Sequence, residues 1–412
     1  MRGELWRWLI EVGAWGLAAV WCVRVGDLLR NLPGLPDLSQ LEWDLKPGGA
    51  PKLVVVVPAR DEAEHVAATM DALVAADYAR LQAVAIDDRS TDATGESLDG
   101  YAARYPERIT VIHVTELADG WLGKTFAMQL AVEQTESDYL LFTDADVLFS
   151  PSILRRALAY AEMEKADHLV VMPTMQVRAK GEGIVLGFFQ VLGMWASRPW
   201  RVSDPEAKRD VIGVGAFNML RRDALMAMGG LELQRLAVLE DITLGRRVKA
   251  AGLRQRVVFA PGLVLVHWAK GAGGLVRVMT KNVFSSVNFR PVLMLGVCAW
   301  ILGFCLLPLA GLGCWPTVLP ALVVMGCVAA VYRTFGVLSG IDARYGWLYP
   351  VGAVIFIYAM LRSMVVAFLI GGVRWRGTHY PLQELRRHNS PFYWERAERA
   401  KRAEERMQQQ KP

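Results

Sequence analysis

Cysteine is scarce in this chain, and its few cysteines follow no functional pattern. There are five among 412 residues, and no C-x-x-C pair occurs. All of them fall in or beside apolar segments: Cys22, Cys298, Cys305, Cys314 and Cys327. A thiol in such surroundings behaves as a small packing residue. The sequence therefore favours inert packing over a thiol-based site.

Other familiar patterns are missing as well. The loop G-x-x-x-x-G-K-[ST] does not occur, which excludes phosphate binding by a P-loop. No inverted repeat of broken apolar segments is visible, which argues against a transporter. A large charge of one sign is also lacking, because 46 basic residues face 41 acidic ones. The small basic excess equals that of the segment after Val373, so its expected partner is an anionic lipid surface and not nucleic acid.

Apolar residues are concentrated at the two ends of the chain. Leu5 to Val25 is almost continuously apolar, and no small-x-small cleavage site follows it, so residues 1–30 are interpreted as a retained membrane anchor. Residues 291–372 form a second apolar region, with expected spans near 293–313, 318–338 and 347–371. Each is long enough to cross a hydrocarbon core, which needs ~20 residues. A multi-pass protein of the cell membrane is predicted.

Membrane topology follows from the basic residues. Residues 373–412 are rich in Lys and Arg, which predicts a basic cytoplasmic tail. If the middle domain, residues 50–290, is cytoplasmic too, an even number of crossings separates it from the tail. Three spans break that parity, so one of them is expected to be re-entrant or interfacial. The second is the weakest, since it contains Arg333 and is flanked by Pro316.

The middle domain alternates strand-like and helix-like segments. Strands are predicted at 53–57, 83–86, 109–114, 139–143, 169–172 and 257–259, with helices at 61–75 and 126–133 among them. This order is typical of an α/β fold with a mostly parallel, Rossmann-like sheet, whose functional loops lie at the carboxyl ends of the strands. An aromatic segment near 184–200 is too short to span a membrane. It is either an interfacial helix or a buried core helix.

Two acid pairs carry the main chemical signal. Asp144 and Asp146 follow a buried strand, and carboxylates spaced i, i+2 can hold Mg²⁺ or Mn²⁺, which would neutralise the diphosphate of a nucleotide donor. Glu240 and Asp241 open a helix and offer a general base for an incoming hydroxyl. The alternative for the second pair is a helix start that matches the helix dipole.

Polar residues also follow the first two strands. Pro58, Arg60 and Glu62 follow one strand and Asp88 the next, so they are expected side by side, where a carboxylate could accept from the imide N–H of uracil. The alternative for Asp61 and Glu62 is an acidic first turn of a helix. Lys124 follows a glycine before a helix and could meet a phosphate, or could lie on a solvated helix face.

Further downstream, two features point to the acceptor side. The glycine-rich run 213–218 would let backbone approach a sugar closely. His267 and Trp268 end a strand-like segment and suggest a metal ligand or aromatic stacking, although a lone histidine is more often structural.

Taken together, the succession Pro58-Ala59-Arg60-Asp61-Glu62, Asp87-Asp88-Arg89-Ser90, Gly120 to Lys124, Asp144-Ala145-Asp146 and Glu240 to Gly245 resembles the family 2 glycosyltransferases. More narrowly, it is similar to the membrane-bound branch of hopanoid-associated, carotenoid and ceramide glucosyltransferase-like enzymes. The similarity covers about residues 53–290.

The resemblance implies a GT-A fold and an inverting, metal-dependent transfer from a nucleotide sugar, UDP-hexose being expected, to a hydroxyl of a membrane lipid. It also implies residue roles. Pro58, Arg60, Glu62 and Asp88 would contact the nucleoside and Lys124 the ribose or phosphates. Asp144 would bind ribose and metal, Asp146 the metal, and Asp241 would be the base, oriented by Glu240.

Two departures limit the match. The Gln-x-x-Arg-Trp signature of processive polysaccharide synthases is missing, and Asn288 stands where an arginine is expected. The alternative substrates are a polyprenyl phosphate, for which Arg198, Arg201 and Arg290 are candidate contacts, or a growing polysaccharide. A further alternative is a non-catalytic membrane scaffold. Oligomeric state has no linear signature.

Overall fold

The computed structural model describes residues 2–389, so the end of the predicted basic tail, including its charged stretch 395–410, lies outside the described residues. The chain forms two compact units. The sheet unit comprises Asp37–Pro173, Val202–Val266 and the chain from Ala367 on. The helical unit comprises the chain up to Pro36, Thr174–Arg201 and His267–Val366.

The α-helices and strands are numbered in chain order. The α-helices are α1 (Arg2–Asn31), α2 (Val66–Val74), α3 (Thr94–Arg104), α4 (Gly123–Gln134), α5 (Ile153–Met163), α6 (Lys180–Ala196), α7 (Arg222–Ala227), α8 (Glu240–Ala250), α9 (Gly271–Ser286), α10 (Pro291–Ile301), α11 (Leu307–Ala310), α12 (Val318–Ser339), α13 (Tyr349–Leu369) and α14 (Leu382–His388). The strands are β1 (Leu53–Ala59), β2 (Leu81–Asp88), β3 (Ile109–Val114), β4 (Tyr139–Phe142), β5 (Val147–Phe149), β6 (His168–Met172), β7 (Thr174–Met175), β8 (Asn218–Arg221), β9 (Gln255–Phe259), β10 (Val264–Val266), β11 (Gly372–Trp375) and β12 (Thr378–Pro381).

A seven-stranded sheet organises the sheet unit, in the order β3-β2-β1-β4-β8-β6-β9. Only β8 runs antiparallel to its neighbours, β4 and β6. The apolar run Leu53–Val57 is fully buried, as expected for a central parallel strand that is covered on both faces. The predicted mostly parallel α/β sheet is confirmed, and each predicted strand is present.

Both predicted helix starts differ from the structure. The helix predicted at 126–133 begins at Gly123, so Lys124 lies in its first turn. The helix expected from Asp61 begins at Val66, because Asp61 has φ 52°, a left-handed conformation that an α-helix does not accept. Asp61 and Glu62 therefore belong to the loop that leaves β1 and not to a first helical turn. The glycine-rich run 213–217 is likewise a loop, and β8 begins only at Asn218.

The core of the sheet unit fixes this loop edge. Val54, Val56 and Ile86 of the central strands pack against Met128 of α4 and Leu244 of α8, and all five are at most 2% exposed. Both helices begin at the carboxyl edge of the parallel strands. Their packing therefore places Lys124, in the first turn of α4, and the acids that open α8 at one edge of the sheet.

Four helical segments are long and apolar enough to cross a membrane: Glu4–Gly34, Pro291–Gly313, Trp315–Ser339 and Ala343–Leu369. They match the predicted anchor and the three predicted spans. Within the helical unit, α1 packs along α12. Trp21 of α1 lies edge-on to Trp195, with ring centroids 5.2 Å apart, and its indole N–H donates to the carbonyl of Phe304 at 3.1 Å.

The aromatic segment predicted at 184–200 is helical as α6 up to Ala196. Phe188, Val191 and Met194 are buried within the helical unit, whereas Phe189 is 41% exposed. One stripe of α6 is thus packed against its neighbours and another remains accessible. The guanidinium of Arg24 lies over the rings of Trp195 and Trp200, at 5.9 and 5.7 Å from their centroids.

Candidate active site

Two loops at the carboxyl ends of β1 and β2 are tied together by hydrogen bonds. Ala59 and Asp87 are partners in the parallel register of the two strands. The hydroxyl of Ser90 accepts from the backbone N–H of Asp61 at 3.0 Å. The carboxylate of Asp61 in turn accepts from the backbone N–H of Thr91 at 2.8 Å. The predicted proximity of these loops is therefore present, and Asp61 serves to join them.

Asp88 is the most enclosed acid of these loops. It is 5% exposed, and its carboxylate accepts from the guanidinium of Arg89 at 2.7 Å. The guanidinium of Arg60 lies 3.8 Å away. Two cations thus face one buried carboxylate, which gives this corner a fixed polar geometry suited to a directional hydrogen bond.

Lys124 joins the two acid pairs that are far apart in sequence. Its ammonium contacts the carboxylate of Asp144 and lies 2.5 Å from that of Glu240. Burial lowers the pKa of Lys124, but the two carboxylates outweigh it and hold the pKa above its ordinary value, so the group stays charged. The sequence placed Lys124 near phosphates but contained no sign of its pairing with Glu240.

The loop that carries Asp144 and Asp146 lies between β4 and β5. The hydroxyl of Thr69 donates to the carbonyl of Ala145 at 2.8 Å, and that of Thr143 donates to the carbonyl of Ala216 at 2.8 Å. Burial, and then the neighbouring Asp144 carboxylate, raise the pKa of Asp146 to about 7. The two carboxylates form an anionic pair that would attract a cation.

Asp241 lies in the first turn of α8, next to this cluster. Burial raises the pKa of Asp241 to about 7, and the negative charge of Glu240 adds to the shift, whereas Lys124 opposes it. A carboxylate with such a pKa can accept a proton near neutral pH, which is the property of a general base. Lys124, Glu240 and Asp241 also line one small cleft with Pro58 and Gly215.

Glycines allow the loop 213–215 to approach these acids. A Cβ at Gly213 would lie 2.0 Å from the backbone oxygen of Asp241, and one at Gly215 would lie 2.6 Å from the carboxylate of Asp144. No side chain fits at either position. The sequence predicted that this run lies close to a sugar. In the structure, its glycines pack against Asp241 and Asp144.

A buried polar network that sequence reasoning missed lies behind Asp241. The imidazole of His168 donates to the side-chain oxygen of Asn218 and accepts from the amide of Gln255 at 3.0 Å. Burial lowers the pKa of His168 to about 4, so the ring is neutral at pH 7. Asn218 also donates to the backbone oxygen of Asp241 at 3.4 Å. The network thereby supports the start of α8.

Residues 50–286 match the family model described as glycosyltransferase-like family 2, which is more than half of the 412 residues. The chain belongs to this family. It is a family 2 glycosyltransferase with a GT-A-type α/β fold, as its motifs suggested.

Several curated relatives of this glycosyltransferase carry the name 4,4'-diaponeurosporenoate glycosyltransferase. The protein of that name from Staphylococcus haemolyticus (strain JCSC1435) is 22% identical over 280 residues, which cover 66% of this chain and 72% of that protein. The one from Staphylococcus aureus (strain MRSA252) is 23% identical over 258 residues, which cover 61% and 66%.

Solved structures are more distant. The mannosyltransferase PcManGT from Pyrobaculum calidifontis, in complex with GDP-Man and Mn²⁺, is 17% identical, with a TM-score of 0.48 and coverage of 86% of this chain and 99% of that one. Residues 1–349 of S. aureus TarS in complex with UDP-GlcNAc are 14% identical, with a TM-score of 0.37 and coverage of 79% and 95%.

The activity of this glycosyltransferase should depend on pH through Asp241. Its raised pKa, about 7, means that the base form appears as pH rises, so kcat should increase from pH 6 to pH 8. Because Glu240 contributes to that rise, Glu240→Gln should move the limb to lower pH. A profile of initial rate against pH, from pH 5.5 to 9, measures both effects. A limb that stays in place in Glu240→Gln would contradict the assignment.

Two other features concern a predicted residue of the helical unit and a groove of the sheet unit. His267 belongs to the helical unit, where its imidazole lies 3.3 Å from the buried carboxylate of Glu182. It is therefore structural within that unit. A wide groove of the sheet unit lies at the opposite, amino-terminal ends of β1 and β4, with Pro51 and Asp138 in its wall. That groove contains none of the predicted site residues.

The segment after α13 also contributes to the sheet unit. Gly372–Trp375 and Thr378–Pro381 pair as an antiparallel hairpin, and α14 follows. The sequence predicted only a basic tail from residue 373 on, and it gave no sign of this hairpin. Arg376, at the tip of the hairpin, contacts the carboxylate of Glu62. Part of the loop predicted to bind the nucleoside is thus held by the C-terminal segment.

Proposed function

We propose that this glycosyltransferase moves a hexosyl group from a nucleoside diphosphate sugar, with UDP-hexose as the expected donor, to a hydroxyl group of an apolar membrane lipid, with inversion at the anomeric carbon. The observation that carries the proposal is the bridge of Lys124 between Asp144 and Glu240, with Asp241 beside it. It joins a pair suited to a diphosphate-bound cation to a candidate base. The four apolar helices of the same chain support a lipid acceptor.

The donor would lie along the carboxyl edge of β1, β2 and β4. Pro58, Arg60, Glu62 and Asp88 would contact the nucleoside. The buried carboxylate of Asp88 is held by two guanidinium groups and can accept the imide N–H of a uracil, which has a single such donor. Lys124 would face the ribose or the diphosphate, where its charge opposes that of the phosphates.

Asp144 and Asp146 fit Mg²⁺ or Mn²⁺ as the ion of this site. Among residues 2–389 no group of three or more His, Cys, Asp or Glu is arranged to hold a metal. Two carboxylates alone suit Mg²⁺, which commonly takes one or two carboxylates and completes its shell with substrate phosphates and water. When bound, the ion would neutralise charge on the leaving diphosphate.

Asp241 would act as the base in a single displacement. The acceptor oxygen forms a bond to the anomeric carbon while its proton passes to the carboxylate of Asp241. The bond between the anomeric carbon and the donor phosphate breaks, and its electron pair leaves with the nucleoside diphosphate. Lys124 stabilises that leaving group, and Glu240 acts through its contact with Lys124. Attack opposite the leaving group inverts the configuration.

The relatives' name bears on the acceptor. It denotes transfer to diaponeurosporenoate, whose suffix describes a carboxylate. A long apolar, carotenoid-like lipid is therefore the acceptor class that we propose, with a hydroxyl as the reacting group and a carboxylate as the second candidate. The two differ in chemistry, because a carboxylate is already ionised at neutral pH and needs no base.

The hairpin bears on membrane topology. Residues 372–389 and the acid cluster belong to the same unit, so we propose that both lie on the cytoplasmic side of the cell membrane. An even number of crossings must then separate Val266 from Gly372. Three candidate helices lie between them, so one of the three would not cross. This supports the parity argument made from the sequence.

Release of nucleotide from a panel of UDP- and GDP-sugars tests the donor, the metal and the sidedness together. Membrane vesicles of both orientations, supplied with Mn²⁺ or Mg²⁺ and total lipid extract, are the material. Nucleotide sugars do not cross membranes unaided. We therefore expect release from one class of donor, only in inside-out vesicles, together with a labelled lipid, and loss of both with EDTA.

The donor, the metal and the orientation can each be contradicted separately by this experiment. Release only in right-side-out vesicles would overturn the cytoplasmic orientation alone. Release that persists in EDTA would remove the metal assignment. No release from any donor, and no nucleotide-dependent protection of the protein against heat, would overturn the donor site and favour a scaffold role.

A further inference from the structure

The hairpin of β11 and β12 is built around a tight turn. Trp375 and Thr378 are cross-strand partners, and the two residues between them, Arg376 and Gly377, have φ of 47° and 82°. Two successive left-handed residues give the kind of two-residue turn that suits the right-handed twist of a hairpin. Since Arg376 occupies the first of these positions, its side chain is presented at the tip.

The tip rests on the loop that follows β1. The guanidinium of Arg376 contacts the carboxylate of Glu62 and lies 3.5 Å from the backbone oxygen of Asp61. That loop is fixed on its other side by Thr94, whose hydroxyl accepts from the N–H of Glu62 at 2.8 Å. Glu62 is therefore held between Thr94, the first residue of α3, and the hairpin.

The base of the hairpin rests on a second donor-side loop. Tyr380 is 7% exposed, and its hydroxyl lies beside the start of α4, near the backbone of Gly123. Lys124 is the next residue. The tyrosine is thereby buried beside the backbone from which the bridging ammonium extends.

The segment that follows extends the contact to a third loop. The imidazole of His388 lies 3.4 Å from the guanidinium of Arg235, and the amide of Asn389 donates to the carbonyl of Leu236 at 3.1 Å. The backbone oxygen of Arg235 in turn accepts from the N–H of Leu122 at 2.9 Å. The C-terminal segment thus touches three loops that surround the proposed donor position.

Electrostatics give Arg376 a role beyond anchorage. The site contains six carboxylates, those of Glu62, Asp88, Asp144, Asp146, Glu240 and Asp241, against four nearby cations, those of Arg60, Arg89, Lys124 and Arg246. A diphosphate that enters this site meets a negative potential, which Arg376 reduces at Glu62.

We infer that the C-terminal hairpin is a working part of the donor site, in which Arg376 and Tyr380 are positioning residues for the nucleoside diphosphate sugar. Arg376 neutralises and orients Glu62, and the buried Tyr380 supports the start of α4, from which Lys124 extends, by packing beside it. The inference rests on the proposed function, because it presupposes a nucleotide donor at this edge. It adds that donor recognition requires a segment that lies beyond the last apolar helix.

Steady-state kinetics on the full-length protein in detergent test the inference. Arg376→Gln should raise KM for the nucleotide sugar about three- to tenfold, since partly exposed ion pairs contribute modestly, with kcat within twofold of wild type. Arg376→Lys, which keeps the charge, should restore most of the affinity. Arg374→Gln, an exposed arginine on the same hairpin, is the matched control and should change neither parameter.

Binding of UDP and GDP by calorimetry supplies the second readout, and Tyr380→Phe the second variant. Tyr380→Phe retains the buried ring and removes only the hydroxyl, so the protein should fold and bind the nucleotide more weakly. Equal nucleotide affinity in wild type, Arg376→Gln and Tyr380→Phe would overturn the inference while leaving the proposed function intact. A wild type that binds neither nucleotide would overturn both.

Discussion

Replacement of Asp241 by Asn should lower kcat by about 10²- to 10⁴-fold, which is the usual contribution of a general base. The amide is nearly isosteric with the carboxylate, so the cleft keeps its shape, but it cannot accept the acceptor's proton. KM for the nucleotide sugar should stay close to that of wild type or fall slightly, because the change removes a negative charge near the diphosphate position. Initial rates at saturating donor, with the purified protein in lipid, measure the effect.

A control variant and a comparison of two acceptor groups make the test of Asp241→Asn more specific. Glu107→Gln removes an exposed carboxylate from the loop before β3 and should leave kcat unchanged. The size of the loss depends on the acceptor group. A lipid hydroxyl should show the full loss, whereas a lipid carboxylate needs no base and should show little. Full activity of Asp241→Asn with a hydroxyl acceptor would rule out the assigned role.

Replacement of Lys124 by Met should damage both stability and activity. Removal of Lys124 leaves the buried carboxylate of Glu240 and the partly exposed carboxylate of Asp144 without their shared cation, and we expect this to cost about 1–3 kcal/mol of unfolding free energy. Loss of a charge aimed at the leaving group should lower kcat/KM about 10²- to 10³-fold. Thermal unfolding in detergent and donor kinetics measure the two effects.

The pH profile separates structural from electrostatic consequences of this change. Lys124 opposes the rise in the pKa of Asp241. Lys124→Met should therefore move the limb on which activity rises with pH to higher pH. Lys124→Arg keeps the charge and should keep the limb near its wild-type position. Lys46→Met, which alters an exposed lysine, should change nothing. An unmoved limb in Lys124→Met would show that the lysine does not act on Asp241.

Much of the sheet unit could be predicted because its signals are local. The run Val54–Val57 has the continuous burial of a central parallel strand, and each of the next strands is followed by polar residues. Since parallel strands end at a common edge, the sequence predicts that Glu62 and Asp88 belong to neighbouring loops. The apolar helices could also be predicted, because each apolar run is long enough to span a membrane.

What the sequence did not reveal depends on contacts between distant segments. The pairing of Lys124 with Glu240 joins residues that are separated by five strands and three α-helices. The hairpin at 372–381 follows an apolar helix and is rich in arginine, so it was interpreted as tail. In the sequence, Asp61 resembles the acidic first turn of a helix. In the structure, hydrogen bonds to Ser90 and Thr91 hold it in a left-handed conformation.

The configuration of the product tests the central claim most directly. Wild type and Asp241→Asn would be incubated with the α-linked UDP-hexose that supports nucleotide release, and the glycolipid would be analysed by ¹H NMR for the coupling of its anomeric proton. A single displacement with Asp241 as base predicts a β-linked product that forms with wild type and is nearly absent with the variant. An α-linked product, or a β-linked product formed at equal rate by Asp241→Asn, would contradict the account.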